Sequence, residues 1–268
     1  MGGGQTLSCL MLLKVIACEV LLRETCFLAA QSPQILDLEF LPQGYHDAPA
    51  TGKGFIQERI DAVPAGKYAA ILLGYGLCGN ILDGIIARHT PLVIPRAHDC
   101  ITYFLGSRER YQERAQKGDG AYYYTAGWLE CLARRGEKEI PQSSLFLPSR
   151  AGLSPERNAV FAEWAKKYGE EEARYLLEEM DKWTQAYHRG VLIEFDFTRV
   201  LGLRERVQKI CAERGWEFEE VAGDLGLLRR WLAGEWDSPD FLVVRPGEQV
   251  APSYDALVMK SLPPGISA

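Results

Sequence analysis

Short apolar runs and longer amphipathic stretches take turns along this chain, which predicts strands and helices in alternation. Leu12–Ala17 (LLKVIA) reads as a buried strand, and Val20, Leu21, Arg23, Glu24, Phe27 and Leu28 then follow at helical spacing. Ile35–Phe40 alternates with period two, setting Ile35, Asp37 and Glu39 against Leu36, Leu38 and Phe40, so this strand has one solvated face. A polar loop, Leu41–Pro49, leads into a helix from about residue 51 to 63. Two strand–turn–helix units occupy Ala69–Cys100. Ala69–Leu73 breaks into Gly74-Tyr75-Gly76-Leu77-Cys78-Gly79, and Leu92–Ile94 breaks at Pro95 into Arg96-Ala97-His98-Asp99-Cys100. A single long helix is expected from Asp99 to about Gln116.

Beyond it, Ala121–Thr125 is aromatic and β-prone and reads as a fifth strand. Trp128 to Arg135 reads as a helix, and the Pro- and Ser-bearing stretch 136–152 as a connector. Ser154-Pro155-Glu156 starts a helix, and Ala173, Leu176, Leu177, Met180 and Tyr187 recur at helical spacing. Strands are expected at Val191–Phe195, Trp216–Val221 and Phe241–Val244, with helices at Leu203–Arg214 and from Asp224 to Leu232. The tail after Ala251 is expected to be loose. Such alternation implies an α/β fold with a doubly wound, mostly parallel sheet in Rossmann-like or flavodoxin-like order. The expected division is a Rossmann-like part at residues 10–150, a helical segment at 153–189 and a smaller βαβαβ part at 190–247.

Charge narrows the partners. With 30 Lys and Arg against 36 Asp and Glu, the chain carries a formal charge of −6. No basic footprint offsets phosphate repulsion, so nucleic acid is not an expected partner. Lys14 and Glu19 interrupt the apolar stretch Leu7–Leu22, which is too short and too charged to cross a membrane. The start, Met1-Gly2-Gly3-Gly4-Gln5-Thr6, fits a short myristoylation pattern but reads better as a flexible leader. The seven cysteines are an odd number with no C-x-x-C pair, which points to a reducing cytoplasm rather than a disulfide framework.

The candidate chemistry lies at strand ends. In open parallel sheets, ligands sit beyond the carboxyl ends of the strands at a topological switch point. Cys18 follows the first strand, Cys78 the third and Cys100 the fourth; in the order 2-1-3-4-5 all three thiols share one edge. Cys78 and Cys100 also fall where helices are expected to begin, and a helix dipole there favours thiolate, the metal-binding form. One zinc ion would need sulfurs within about 4 Å of each other, whereas an iron–sulfur cluster tolerates wider spacing. His46 and His98 are the candidate fourth ligands, and Asp99 suits a helix cap. Two readings stand beside the shared metal site: inert core thiols and a single reactive nucleophile. Cys9, Cys26, Cys131 and Cys211 read as packing residues. Tyr75, Tyr45, Tyr124 and Trp128 are candidates for a pocket wall or for plain core.

Gly74-x-Gly76-x-x-Gly79 matches a dinucleotide fingerprint that follows a strand and is expected to open a helix, and Arg96 could help hold an anion there. Its position after the third strand, with no acid ending the next, weakens that reading; tight-turn packing is the alternative.

LPQGYHDAP, LGYGLCGN, PLVIPRAHDCITYFLGSRERY and YYYTAGWLE, with Cys18-Glu19 before them and YGEEEARYLLEE after, resemble the prokaryotic family catalogued as domain of unknown function 1638 (DUF1638). The resemblance runs from about Val15 to Arg245, and its motifs map onto Cys18, His46, Cys78, His98, Asp99 and Cys100. It implies an association with corrinoid-dependent methyltransferase systems of one-carbon metabolism. The D-x-H-x-x-G motif of base-off corrinoid carriers is absent, so a redox or metal accessory role is the expectation. Nucleotide or small-anion binding, and a non-catalytic partner protein docking through residues 154–189, are the alternatives.

Overall fold

A computed structural model describes residues 10–43, 49–116, 120–135, 161–162, 164–166, 168–176 and 187–263. In chain order the first half runs β1 (Leu12–Cys18), α1 (Leu22–Ala29), β2 (Ile35–Leu41), α2 (Pro49–Asp61), β3 (Ala70–Gly74), β4 (Leu92–Pro95), α3 (Cys100–Leu105) and α4 (Arg108–Gln116). The second half runs β5 (Ala121–Tyr124), α5 (Ala126–Arg135), β6 (Arg189–Glu194), α6 (Leu203–Arg214), β7 (Glu217–Ala222), α7 (Gly226–Ala233), β8 (Phe241–Val244), β9 (Gln249–Pro252) and β10 (Met259–Leu262). Between α5 and β6, the described residues 161–162, 164–166, 168 and 170–176 are helical; the rest of the expected helical segment lies outside the described residues.

The fold is α/β, built on a mixed sheet of mostly parallel strands. The main sheet has the order β2-β1-β3-β4-β8, parallel except for β8, which pairs antiparallel with β4. β3 is buried at every position, as befits a Val/Ile/Leu-type strand covered on both faces. The edge strand β2 keeps the alternation read from its sequence: Asp37 and Glu39 both pair with Lys14 of β1, at 3.2 and 3.0 Å.

Four expectations give way. The strand at Ala121–Tyr124 does not extend the first sheet; with β6 and β7 it forms a separate all-parallel sheet of three. The strand at Phe241–Val244, expected in the second part, instead returns to close the first sheet beside β4. The second sheet is therefore inserted in the chain between β4 and β8 of the first. The long helix expected from Asp99 to Gln116 breaks at Gly106, which adopts a left-handed φ of 81°. A Cβ on Gly106 would lie 2.6 Å from that of Asp224, so the break admits the turn before α7. The tail is also more ordered than expected, because β10 pairs with β9.

In the second sheet the middle strand, β6, is buried on both faces. Leu192 of β6 packs with Leu203 and Val207 of α6, while Ile193 and Phe195 join the core of the main sheet. Trp231 of α7 is fully buried; its Nε1–H donates to the Val93 carbonyl at 3.1 Å, and its ring covers Gly74.

Candidate functional site

Register sets the site. Ala17 of β1 pairs with Gly74 of β3, so Cys18 and Tyr75 leave the sheet together at its carboxyl edge. Cys78 lies just beyond, in a short 3-10 turn, and Cys100 is the first residue of α3. The loops after β3 and β4 are zipped together: Leu77 N–H donates to the Ala97 carbonyl at 2.9 Å and Cys78 N–H to that of His98 at 2.8 Å. The Cys100 N–H in turn donates to the Cys78 sulfur, and the Val20 N–H to the Cys18 sulfur. Cys18, Cys78 and Cys100 line a single cavity of about 390 Å3, solvent at its mouth included, with Tyr75, Tyr103 and Trp128 in its wall.

No helix opens at Cys78. Gly79 and Asn80 both have positive φ, 58° and 62°, and the chain continues as turns. The dipole expected to favour thiolate at Cys78 is therefore missing, and burial governs the thiols instead. Desolvation pushes Cys18 up to about 12. Desolvation, reinforced by the Asp99 carboxylate, does the same to Cys78. Cys100, at the start of the short α3, is raised well above the ordinary thiol range by burial and by its thiol neighbours. Without a cation beside them, all three are neutral at physiological pH.

The loss of that helix also removes the helix N-terminus from the glycine fingerprint, and each glycine has a packing role. A Cβ on Gly74 would lie 2.6 Å from Ala17 Cβ, and one on Gly76 would lie 2.8 Å from Asp99 Cα. Gly79 supplies left-handed backbone. Arg96 points to main-chain oxygens, donating to Phe241 at 3.4 Å, Leu257 at 3.2 Å and Met259, and so fastens the last hairpin to β4.

Asp99 caps α3, accepting from the Ile101 N–H at 3.0 Å and from the Tyr111 hydroxyl at 2.9 Å. Burial raises its carboxyl, and the Tyr111 bond opposes that shift. His98 is exposed and stacks beside Tyr111, with ring centroids 6.3 Å apart; it does not line the cavity. His46 and Tyr45 lie outside the described residues. Among the described residues, no three His, Cys, Asp or Glu side chains stand close enough to hold one metal ion.

Of two further residues at or beside the site, one was not singled out from the sequence and the other was read only as packing. Tyr103, one turn after Cys100 on α3, is fully buried, and its hydroxyl has no hydrogen-bond partner among the described residues. Cys131, one turn after Trp128 on α5, is buried near Cys18 and adds to the upward pressure on that thiol. Their signal is helical spacing from a lining residue, visible only once the lining is known.

A family model described as a protein of unknown function (DUF1638) matches residues 40–232. That span contains Cys78 and Cys100 but not Cys18. No curated protein and no solved structure matches the chain.

Proposed function

The chain belongs to the DUF1638 family, and from that premise we propose that it holds a thiophilic inorganic group, an iron–sulfur cluster before zinc, between Cys18, Cys78 and Cys100. The observation that carries this reading is the convergence of three thiols from three neighbouring strand ends on one cavity. The site would then follow the flavodoxin-like rule of a ligand beyond the carboxyl edge where strand order reverses, here between β1 and β3.

The donor set fits such a group by type. Sulfur is the ligand of choice for iron–sulfur clusters and suits zinc equally well. A cluster is put before zinc because it tolerates wider ligand spacing than a single ion does. Burial sets the cost of loading: the raised thiols must shed their protons, and a multivalent cation would supply the counter-charge. A bound cluster would supply one-electron transfer. The protein's part is to shield it with Trp128 and to hold the Cys78 sulfur through the Cys100 N–H. A cytoplasmic redox accessory of corrinoid-linked methyl transfer is the role in which we place it.

The test is anaerobic reconstitution with ferrous iron and sulfide, followed by metal and sulfide analysis and visible spectroscopy. Wild-type protein is expected to take up both and colour. Cys78→Ser and Cys100→Ser are expected to lose most of that uptake. Each thiol must shed its proton, so loading strengthens as pH rises from 6 to 9. Colourless, metal-free wild-type protein across that range would overturn the reading.

A further inference from the structure

Two of the three cysteines stand on loops that the backbone itself fastens together. The Cys78 N–H donates to the His98 carbonyl at 2.8 Å, and the Cys100 N–H donates back to the Cys78 sulfur. One bond of about 1.5 Å joins that nitrogen to the Cys100 Cα, so the Cys78 sulfur lies against the backbone from which the Cys100 side chain starts. The chains are equally close beside it, where a Cβ on Gly76 would lie 2.8 Å from the Asp99 Cα. A disulfide joins Cα atoms about 4.4–6.8 Å apart, an approach that main-chain hydrogen bonds between neighbouring chains also produce. Cys18 differs. Its sulfur accepts from the Val20 N–H of its own segment, and it is buried outright, whereas Cys78 and Cys100 are half-buried residues beside a cavity open to solvent.

From this juxtaposition we infer that Cys78 and Cys100 are a reversible redox pair, closed to a disulfide by hydrogen peroxide entering the cavity and reopened by a dithiol. One sulfur attacks the peroxide and breaks its O–O bond, so that a sulfenic acid forms and one water leaves. The second sulfur then attacks the first, the S–S bond closes, and the sulfenic oxygen departs as a second water. Two thiols and one peroxide thus give one disulfide and two waters, the sulfurs losing the two electrons that the peroxide gains. A dithiol reverses the step by exchange and becomes a disulfide itself. The consequence for the site rests on the preceding reading: the closed form lacks two of its three sulfur ligands, so oxidation shuts it to metal and reduction restores it.

The test treats Cys26→Ser protein, which lacks the exposed thiol, with hydrogen peroxide in metal-free buffer. Remaining thiols are then blocked under denaturing conditions, and the peptides are mapped by mass spectrometry before and after dithiothreitol. An intramolecular Cys78–Cys100 crosslink is expected in most molecules, gone after dithiothreitol and still formed when Cys18→Ser is added. Because the crosslink is mapped with all three cavity cysteines in place, the result does not depend on whether a ligand variant folds. Uptake of iron and sulfide by the crosslinked protein is expected to fall by about tenfold or more and to return with the reductant. A crosslink from Cys18 to either partner, or separate oxidation of Cys78 and Cys100 to sulfinic acids, would overturn the pairing. Full uptake by the crosslinked protein would overturn the switch. Cluster loading with no crosslink at any peroxide concentration would overturn this inference and leave the preceding reading standing. A reversible crosslink in protein that, once reduced, takes up neither iron nor sulfide would do the opposite: the redox pair stands and the preceding reading falls.

Discussion

Glu24 of α1 shows at single-residue scale how far burial overrides charge in this protein. It is fully buried, and neither carboxyl oxygen has a partner among the described residues. Desolvation therefore raises it to about 7 from 4.5, aided by Glu130 and opposed by Arg23, which is itself engaged with Glu130 at 2.7 Å. For an acid raised on folding, the folded state holds its proton more tightly than the unfolded one. The resulting stability is intact below about 4.5 and declines as pH climbs through about 7. At about 1.4 kcal/mol per pKa unit the loss approaches ~3 kcal/mol. Glu24→Gln has no such proton to lose. Urea denaturation should show the variant gaining on wild type by about 2–3 kcal/mol between pH 5 and pH 8; parallel curves would contradict this. Helical spacing does set Glu24 on one face with Val20, Leu21 and Leu28, all buried; only its residue type argues for an outward position. The shared edge of Cys18, Cys78 and Cys100 is legible because strand ends are visible in sequence and the order 2-1-3-4, which the main sheet has, is a common one for parallel sheets of this kind. Their protonation is not, since it depends on depth rather than on position along the chain.

At the scale of elements, the sequence is most transparent where apolar runs are unbroken and least where glycine decides the path. β1, β3 and β4 lie where their runs placed them, within a residue or so. The turn after β3 could not be read: Leu77, Ile81, Leu82, Ile85 and Ile86 supply enough apolar spacing for a helix, yet Gly79, Asn80 and Gly84 all adopt positive φ and prevent one. Ile81, Leu82 and Ile85 are fully buried all the same, so their burial is met by turns. Gly76 is the hinge of this arrangement, because the backbone of Asp99 lies against it where the two loops are zipped. Gly76→Ala must push the loop after β4 away from the loop after β3. The expected cost is about 1–3 kcal/mol, as for other overpacked positions, with iron uptake at the cavity reduced in step because Cys78 and Cys100 are pried apart. Thermal melting and metal analysis on the same sample check both halves. Destabilisation with full uptake would show that the zipped loops are not what positions the sulfurs.

At the scale of the whole molecule the main sheet is not a contiguous piece of chain, because the second sheet, β5 to β7, is inserted between β4 and β8. β8 must come from beyond β7 to cover the edge of β4, so the main sheet is complete only after the second sheet has been threaded. The interface is tight at both ends. Gly127 of α5 lies directly on the Val20 backbone after β1, where a Cβ would collide with the carbonyl, and Ile193 and Phe195 of β6 share the apolar core of the main sheet. Crossing strands could not be anticipated from local pattern, since Phe241–Val244 is a short apolar run like any other and its partner is set by long-range closure. The energetic consequence expected of this is a single cooperative unit. If β8 or α5 detaches, apolar surface is bared on both sheets at once, so no half-folded species is worth populating. Of the six tryptophans, Trp231 lies beneath the main sheet and Trp216 beside Tyr122 of the second, with ring centroids 6.0 Å apart, so replacing either removes a fluorophore seated on one sheet while the other five remain. Urea titrations of Trp216→Phe and Trp231→Phe, read by fluorescence and by far-ultraviolet circular dichroism, should give coincident transitions within each variant. A second-sheet signal that melts well before the first would separate the two sheets into independent domains, and the cavity between β1, β3 and α5 would then open before the main sheet unfolds.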